Sequence, residues 1–499
     1  MRAMWWSRKN GSERKVGRQR WPLSLPLLSL SANDDFTLAD ATEGVFVSGT
    51  TGSGKTSGSG RQLALSFLRT GMGGLVLTAK PDECDLWKAY CRETRRLNDL
   101  VVFSATGSSR FNVLNDELHR GGRGAGLTEN LVNLFSEIVQ AAERQTGSGG
   151  REDEGYWRRA MRQLVRNCID LLMLGPGHIS FTDLYRVVIS LPKSLDQAAD
   201  EGWKESSFAY ACLKEADAKT KDRERRHDLR LCADYVLEEF AMLSDKTRSI
   251  IVSTFTSTVD TFQRGTLREL FSTTTNITPD AVTDGKIIVM DLPVKEFREV
   301  GQLSQVLMKY VFMQAIERRP QDRDLRPVFL WCDEAQNFTS PYDFQFQTTA
   351  RSARVCTVYL TQNISNLYAT LGADEAGKAS VDSLLANLNT KIIHANGDPV
   401  TNTWSADLIG RSRQFFVSAN RSQTGNSAMA ALFGCGGDSQ TGGGVNEQME
   451  HEVPPRRFTT LRKGGVANGG LVDAIVFQGG RRFKANGKTW LPVTFQQRL

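Results

Sequence analysis

No C-x-x-C pair occurs anywhere in this chain, and its five histidines lie far apart. A structural zinc site needs clustered thiolates or imidazoles, so none is expected. The eight cysteines are scattered, with Cys84 and Cys91 seven positions apart. They do not read as a disulfide framework but as reduced, mostly buried thiols. No stretch reaches about 18 apolar residues, so no membrane span is expected and a cytoplasmic protein is. Basic residues precede Trp21–Ala32, which superficially resembles a secretory signal. Two prolines, Pro22 and Pro26, interrupt it. It reads instead as an edge strand or lead-in.

The 499 residues exceed one ordinary domain and suggest two or three, at roughly 150 residues each. A hydrophobic fraction of 40% supports a large core, and the charged fraction of 24% is ordinary for a globular protein. The formal net charge is +6. Residues 1–21 carry Arg2, Arg8, Lys9, Arg14, Lys15, Arg18 and Arg20 against Glu13, which is seven minus one, so the rest of the chain is neutral. With Trp5, Trp6 and Trp21, this segment suits an anionic lipid surface or nucleic acid, or is a solvated terminus. A peripheral attachment to the inner membrane would use it.

Apolar, β-branched runs predict strands at Gly44–Ser48, Gly74–Ala79 and Leu100–Ser104. They predict others at Lys286–Leu292, Val328–Cys332, Val355–Thr361 and Lys391–Ala395. Helical patterns separate them, which indicates an α/β fold with a mostly parallel sheet. Between them, about 126–275, apolar residues recur at three- and four-residue spacing. The expected organisation is a lead-in over 1–34, one α/β domain over 35–125 and 276–499, and an all-α block over 126–275 interrupting it. Within the block, Gly147–Gly155 reads as a flexible joint, and Trp157 with Arg158, Arg159 and Arg162 reads either as a recognition face or as a core tryptophan beside solvated arginines. Ala419–Glu447, rich in Gly, Ser, Asn and Gln, reads as a long mobile loop. Three short strand-like runs over Leu471–Phe495 are punctuated by hairpin turns.

Gly49-Thr50-Thr51-Gly52-Ser53-Gly54-Lys55-Thr56 fits G-x-x-x-x-G-K-[ST] at every position. A strand precedes it and an apolar helix follows, the context a phosphate-binding loop needs. Its backbone N–H groups and the helix N-terminus suit phosphate oxygens. Lys55 would reach the β- and γ-phosphates of ATP, and Thr56 would give Mg²⁺ an oxygen. Asp333 and Glu334 end the strand Val328–Cys332. The first could hold the Mg²⁺ shell, and the second could polarise the attacking water. Gln362, ending the following strand, could sense the γ-phosphate or be a polar strand end. Arg351 and Arg354 precede that strand, and a guanidinium there suits transition-state charge on a neighbouring subunit's nucleotide or a surface ion pair. No guanine-reading N-K-x-D element occurs; the nearest text, Asn389-Thr390-Lys391-Ile392, lacks the aspartate.

These landmarks, with FNVLND (Phe111–Asp116), YWRRAMRQLV (Tyr156–Val165), DEAQNF (Asp333–Phe338), ARSARV (Ala350–Val355) and LTQN (Leu360–Asn363), resemble in their order the type IV coupling proteins. These are the TraG/TraD-type ATPases of conjugation, within the FtsK–HerA superfamily. The resemblance covers roughly residues 35–495. It implies a RecA-like P-loop NTPase interrupted by an all-α domain, and a homohexameric ring with ATP at subunit interfaces. It implies movement of single-stranded DNA, with a relaxase, towards a secretion channel. Carried over by motif, Glu334 is the catalytic carboxylate, Gln362 the sensor and Arg351 the trans-acting arginine. Many members carry an N-terminal transmembrane pair, which is not found here, so membrane docking would need a partner or the basic tail. Two other functions fit the same motifs: a soluble HerA-like pump acting with a nuclease, and a docking platform for secreted proteins.

Overall fold

The computed structural model describes residues 21–122, 124–145, 154–320, 325–372, 374–422 and 440–497. The basic stretch 1–20 and most of the Gly147–Gly155 joint lie outside them. In chain order the strands are β1 (Pro26–Ser31), β2 (Asp34–Thr37), β3 (Val45–Ser48), β4 (Gly73–Leu77), β5 (Leu100–Ser104) and β6 (Ile287–Asp291). Then come β7 (Val328–Cys332), β8 (Val355–Thr361), β9 (Thr390–His394), β10 (Arg411–Ser422), β11 (Gln440–His451), β12 (Leu471–Gln478) and β13 (Trp490–Gln496).

Nine strands form one sheet in the order β13-β12-β9-β3-β8-β7-β4-β6-β5. From β9 to β5 every pairing is parallel, so the carboxyl ends of seven strands open on one rim. Only β12 is reversed, pairing antiparallel with both β9 and the edge strand β13. Continuous burial along β3, β4, β7 and β8 explains their unbroken apolar text: helices cover both sheet faces. One face packs on Leu63, Phe67 and Leu68 of the helix Arg61–Arg69 and on Trp87 and Tyr90 of the helix Glu83–Glu93. The other packs on the helix Val294–Glu317.

The chain between β5 and β6 is helical, and those strands are sheet neighbours. The helical stretch therefore leaves and re-enters at one edge without disturbing the sheet. Its core is not separate. Phe135, Leu164, Phe181 and Phe255 belong to one continuous apolar cluster with Leu307 and Phe346 on the sheet's face.

Several expectations need correction. The segment Ala419–Glu447 is not loop throughout. β10 and β11 pair antiparallel from Arg411↔His451 to Ser422↔Gln440, so both its flanks are a long ribbon. Gly, Ser and Asn disfavour strands individually, but cross-strand pairing overrides composition. The three strand-like runs at the terminus are two strands, with Gln478–Trp490 bridging them through turns. β1, within the lead-in, pairs with β2 in a two-stranded sheet apart from the large one.

Trp21 is no free tail tryptophan. It is buried, and its indole N–H donates to the Thr70 carbonyl at 2.9 Å. Arg162 is tied to its own helical block rather than left in water. It donates to Ser136 and Asn133 of the neighbouring helix at 2.9 and 2.8 Å, while Trp157 packs half-buried against the core. Of that trio only Arg159 is exposed. Among the described residues no helix is long and apolar enough to cross a membrane.

Candidate nucleotide site

The carboxyl rim of the sheet carries a cleft of about 660 Å³, within the range of ligand pockets. Its floor is the turn after β3. Gly52 and Gly54 have φ of 73° and 85°, a left-handed backbone that side chains resist. A Cβ at Gly54 would also meet Val472 of β12 at 2.6 Å, so no larger residue fits. The chain then enters a widened helical turn, in which Gly60 N–H donates to the Lys55 carbonyl, before the helix Arg61–Arg69. Gly52–Thr56 thereby line the cleft at the start of a helix, where an anion would be favoured.

The strand order explains what meets at the rim. β8 lies between β3 and β7, so the turn after β8 sits between the glycine loop and the acidic pair. Lys55, Asp333, Glu334 and Gln362 all line the cleft. Thr56 Oγ1 donates to Asp333 Oδ2 at 3.1 Å, and the other Asp333 oxygen accepts the Glu334 N–H at 2.9 Å. Glu334 itself is left-handed, with φ 49° and ψ 53°. For a non-glycine residue this costs about 1–3 kcal/mol, a strain tolerated where a side chain must be re-aimed.

The carboxylate of Glu334 is nearly inaccessible, and its partners converge on one oxygen. Oε1 lies 3.6 Å from Lys55 Nζ, 3.2 Å from Lys80 Nζ and 3.4 Å from the Gln362 amide nitrogen. Oε2 accepts from Gln336 at 3.1 Å. Burial alone would raise its pKa. Lys55, the Gln336 amide and Lys80 together outweigh burial and hold it at about 2.

Three residues in or beside the cleft escape a reading of the sequence alone. Lys80 and Glu83 follow β4, and Gln336 follows β7. Glu83 is buried and accepts the N–H groups of Ala79 and Lys80 at 2.7 and 3.3 Å, closing the turn that carries Lys80. Burial and the Asp333 charge raise the Glu83 carboxyl to about 8. The sequence signal for Lys80 was present but weak: a lysine just past a buried strand is ordinary until β4 is known to neighbour β7. Gln336 also accepts from Thr361 Oγ1 at 2.9 Å, tying the turn after β7 to the end of β8.

Behind the glycine loop, His394 of β9 accepts the Ser59 hydroxyl proton at Nε2 (2.7 Å), with Nδ1–H donated to the Asp473 carbonyl (3.1 Å). Burial and, more weakly, Lys55 push its pKa down to about 4. The C-terminal strands thus brace the loop. Beneath the acidic turn, Lys309 Nζ donates to Asp343 Oδ2 and to the Phe338 carbonyl, both at 2.6 Å, fully out of water. Asp343 also accepts the Ser340 N–H and the Tyr359 hydroxyl.

Both arginines lie away from this cleft. Arg351 ends the helix Tyr342–Ala350 at the opposite rim, exposed and 3.3 Å from Glu43. Arg354 turns inward, with φ 52°, and donates to the Trp21 and Leu325 carbonyls at 2.7 and 3.2 Å, a structural role.

Mg²⁺ takes few protein ligands, usually one or two oxygens plus phosphate and water. Thr56 Oγ1 and Asp333 Oδ2, adjacent hard donors at the cleft floor, fit that requirement. Among the described residues no group of three or more His, Cys, Asp and Glu has metal-holding geometry, and Mg²⁺ would need none.

The resemblance to the type IV coupling proteins is shown in sequence over residues 327–455, which match the family described as the TraM recognition site of TraD and TraG. It is shown in fold over nearly the whole chain. The unbound bacterial conjugative coupling protein TrwBdeltaN70 superposes with a TM-score of 0.59 at 13% identity, covering 97% of this chain and 90% of that one. The plasmid coupling protein TrwB with the ATP analogue ADPNP superposes at 0.56 with 14% identity, covering 92% and 87%. TrwB has also been solved with ADP and Mg²⁺. VirB4 of Thermoanaerobacter pseudethanolicus superposes at 0.50 with 12% identity, covering 96% of both chains. No curated protein matches by sequence. The fold is that of a P-loop NTPase, with the central, mostly parallel sheet expected from the strand text.

Proposed function

We propose that this protein is an ATPase that drives single-stranded DNA, with its relaxase, towards a type IV secretion channel. One observation carries the ATPase reading: Lys55, Thr56, Asp333, Glu334 and Gln362, distant in sequence, meet in one cleft.

In this reading the loop amides and Lys55 hold the triphosphate, whose charge needs a buried cation. Thr56 and Asp333 hold Mg²⁺, which when bound neutralises charge on the β- and γ-phosphate oxygens. Glu334 takes the proton of the attacking water, and the Gln362 amide orients that water. Glu334 cannot act while Lys55 and Lys80 pin it, since a carboxylate near pKa 2 is a poor base. Both lysines must first be drawn to phosphate.

Arg351 serves a neighbouring subunit, because its own cleft lies across the sheet. That arrangement needs an adjoining subunit, and a homohexameric ring is the assembly the resemblance implies. The match over 327–455 supports contact with an accessory DNA-processing protein. The ribbon β10–β11 and the acidic turn both lie within that matched segment.

The proposal is tested by a mating assay with a donor whose conjugative element encodes Lys55→Ala, together with capture of relaxase on the purified wild-type protein. Loss of transfer, with relaxase bound, is expected. Transfer at the wild-type frequency would overturn it. A nuclease captured in place of relaxase would favour the end-processing pump.

A further inference from the structure

Oε1 of Glu334 is held by three donors from three different strand ends: Lys55 after β3, Gln362 after β8 and Lys80 after β4. A phosphate oxygen in this cleft would ask for the same set of donors. Two of the three are accounted for by the glycine-loop motif and the sensor position. Lys80 is not part of either.

The turn that carries Lys80 is built rather than incidental. Gln305, wholly buried in the helix Val294–Glu317, accepts the Thr78 N–H at 2.6 Å and donates to the Thr78 and Leu292 carbonyls at 2.9 and 2.8 Å. Thr78 Oγ1 donates to the Met290 carbonyl at 2.5 Å. Ala79 accepts the Lys295 N–H at 3.0 Å, and the Glu83 carboxyl closes the turn from below. Burial opposes the Lys80 charge, but Asp333 and Glu334 beside it outweigh burial and keep the ammonium charged. Its side chain is 30% exposed and lines the cleft, within reach of a bound phosphate.

We infer that Lys80 is a γ-phosphate ligand, resting on Glu334 when the site is empty or holds a diphosphate and transferring to the γ-phosphate when a triphosphate enters. The inference rests on the ATPase reading above. It adds a device to that reading. The same movement that neutralises the γ-phosphate releases Glu334, so the carboxylate is freed only when there is a bond to break. A diphosphate would not release it. Glu334 would thereby be silent between cycles.

The alternative is that Lys80 merely neutralises Glu334. The two separate in a Glu334→Gln background, where no charge remains to neutralise and ATP itself can be used as the ligand. Binding of ATP and of ADP, each with Mg²⁺, is measured by calorimetry for Glu334→Gln, Glu334→Gln/Lys80→Met and Glu334→Gln/Lys80→Arg. Thermal unfolding of each variant reports folding. Loss of one charge-assisted contact predicts ATP binding weakened roughly 10- to 100-fold by Lys80→Met, ADP binding changed less than about 3-fold, and partial recovery with arginine. Equal weakening of both nucleotides, or no change in either, would overturn the inference while leaving the ATPase reading standing. Failure of Glu334→Gln and wild type to bind either nucleotide would overturn both.

Discussion

Thr56 Oγ1 and Asp333 Oδ2 lie 3.1 Å apart, although 277 residues separate them in the chain. The pair is the meeting point of the glycine loop and the acidic turn. Asp333→Asn keeps the shape but loses the charge that would hold Mg²⁺. Nucleotide binding should then lose its Mg²⁺ dependence, and turnover should fall at least about 100-fold. A Mg²⁺ titration of nucleotide affinity checks this; an unaltered midpoint would remove Asp333 from the metal shell. Glu334→Gln should differ: binding kept, Mg²⁺ dependence kept, turnover down by about 10²–10⁴.

His394 should make the fold sensitive to mild acid. Its ordinary pKa is 6.5 and burial lowers it to about 4 in the folded protein. Between those values the unfolded chain takes up a proton that the folded one refuses. The stability His394 contributes is therefore complete above pH 6.5 and is lost as pH falls towards 4, by up to about 3 kcal/mol. Urea midpoints at pH 7.5 and 5 should separate more in wild type than in His394→Gln, which does not titrate there. Equal separations would contradict the assignment.

Lys309 and Asp343 form an ion pair with side-chain exposures of 1% and 0%. Removing one partner strands a charge in the core. Asp343→Ala should destabilise by roughly 3–5 kcal/mol, and Lys309→Met/Asp343→Leu by less than the single change. Denaturant unfolding of both variants gives the comparison. A double variant weaker than Asp343→Ala would mean that Ser340 and Tyr359, the other partners of the carboxylate, dominate.

Much of the fold was legible because its signals are local. β5, β7 and β8 begin and end where their apolar runs do, and the glycine spacing of the loop is read residue by residue. What stayed hidden depends on pairing between distant segments. Lys80 gains its meaning only from β4 lying beside β7. Arg162 looked like a surface charge because periodicity does not reveal which neighbour offers Ser136 and Asn133. The ribbon β10–β11 was concealed by its composition, since its strands are specified by each other rather than by propensity. Trp21 adjoins the basic tail in sequence, whereas its contacts are with Thr70 and Arg354.

Arg351 gives the clearest test of a ring. It is remote from its own cleft, so Arg351→Ala should bind ATP normally and lose most turnover, on the order of 10³-fold for an arginine supplied in trans. Mixed with Lys55→Ala subunits it should regain activity, because one subunit brings an intact loop and the other an intact arginine. Full activity of Arg351→Ala as a dilute monomer would contradict both the role and the ring.

The central claim is that ATP turnover and DNA are coupled in one assembly. The most direct measurement is the steady-state ATPase rate of the purified protein with and without single-stranded DNA, with particle mass determined on the same samples. A DNA-dependent rise in rate that accompanies a shift to a hexameric mass, and that Lys55→Ala abolishes, is the predicted result. An ATPase rate indifferent to DNA at every mass observed would contradict it.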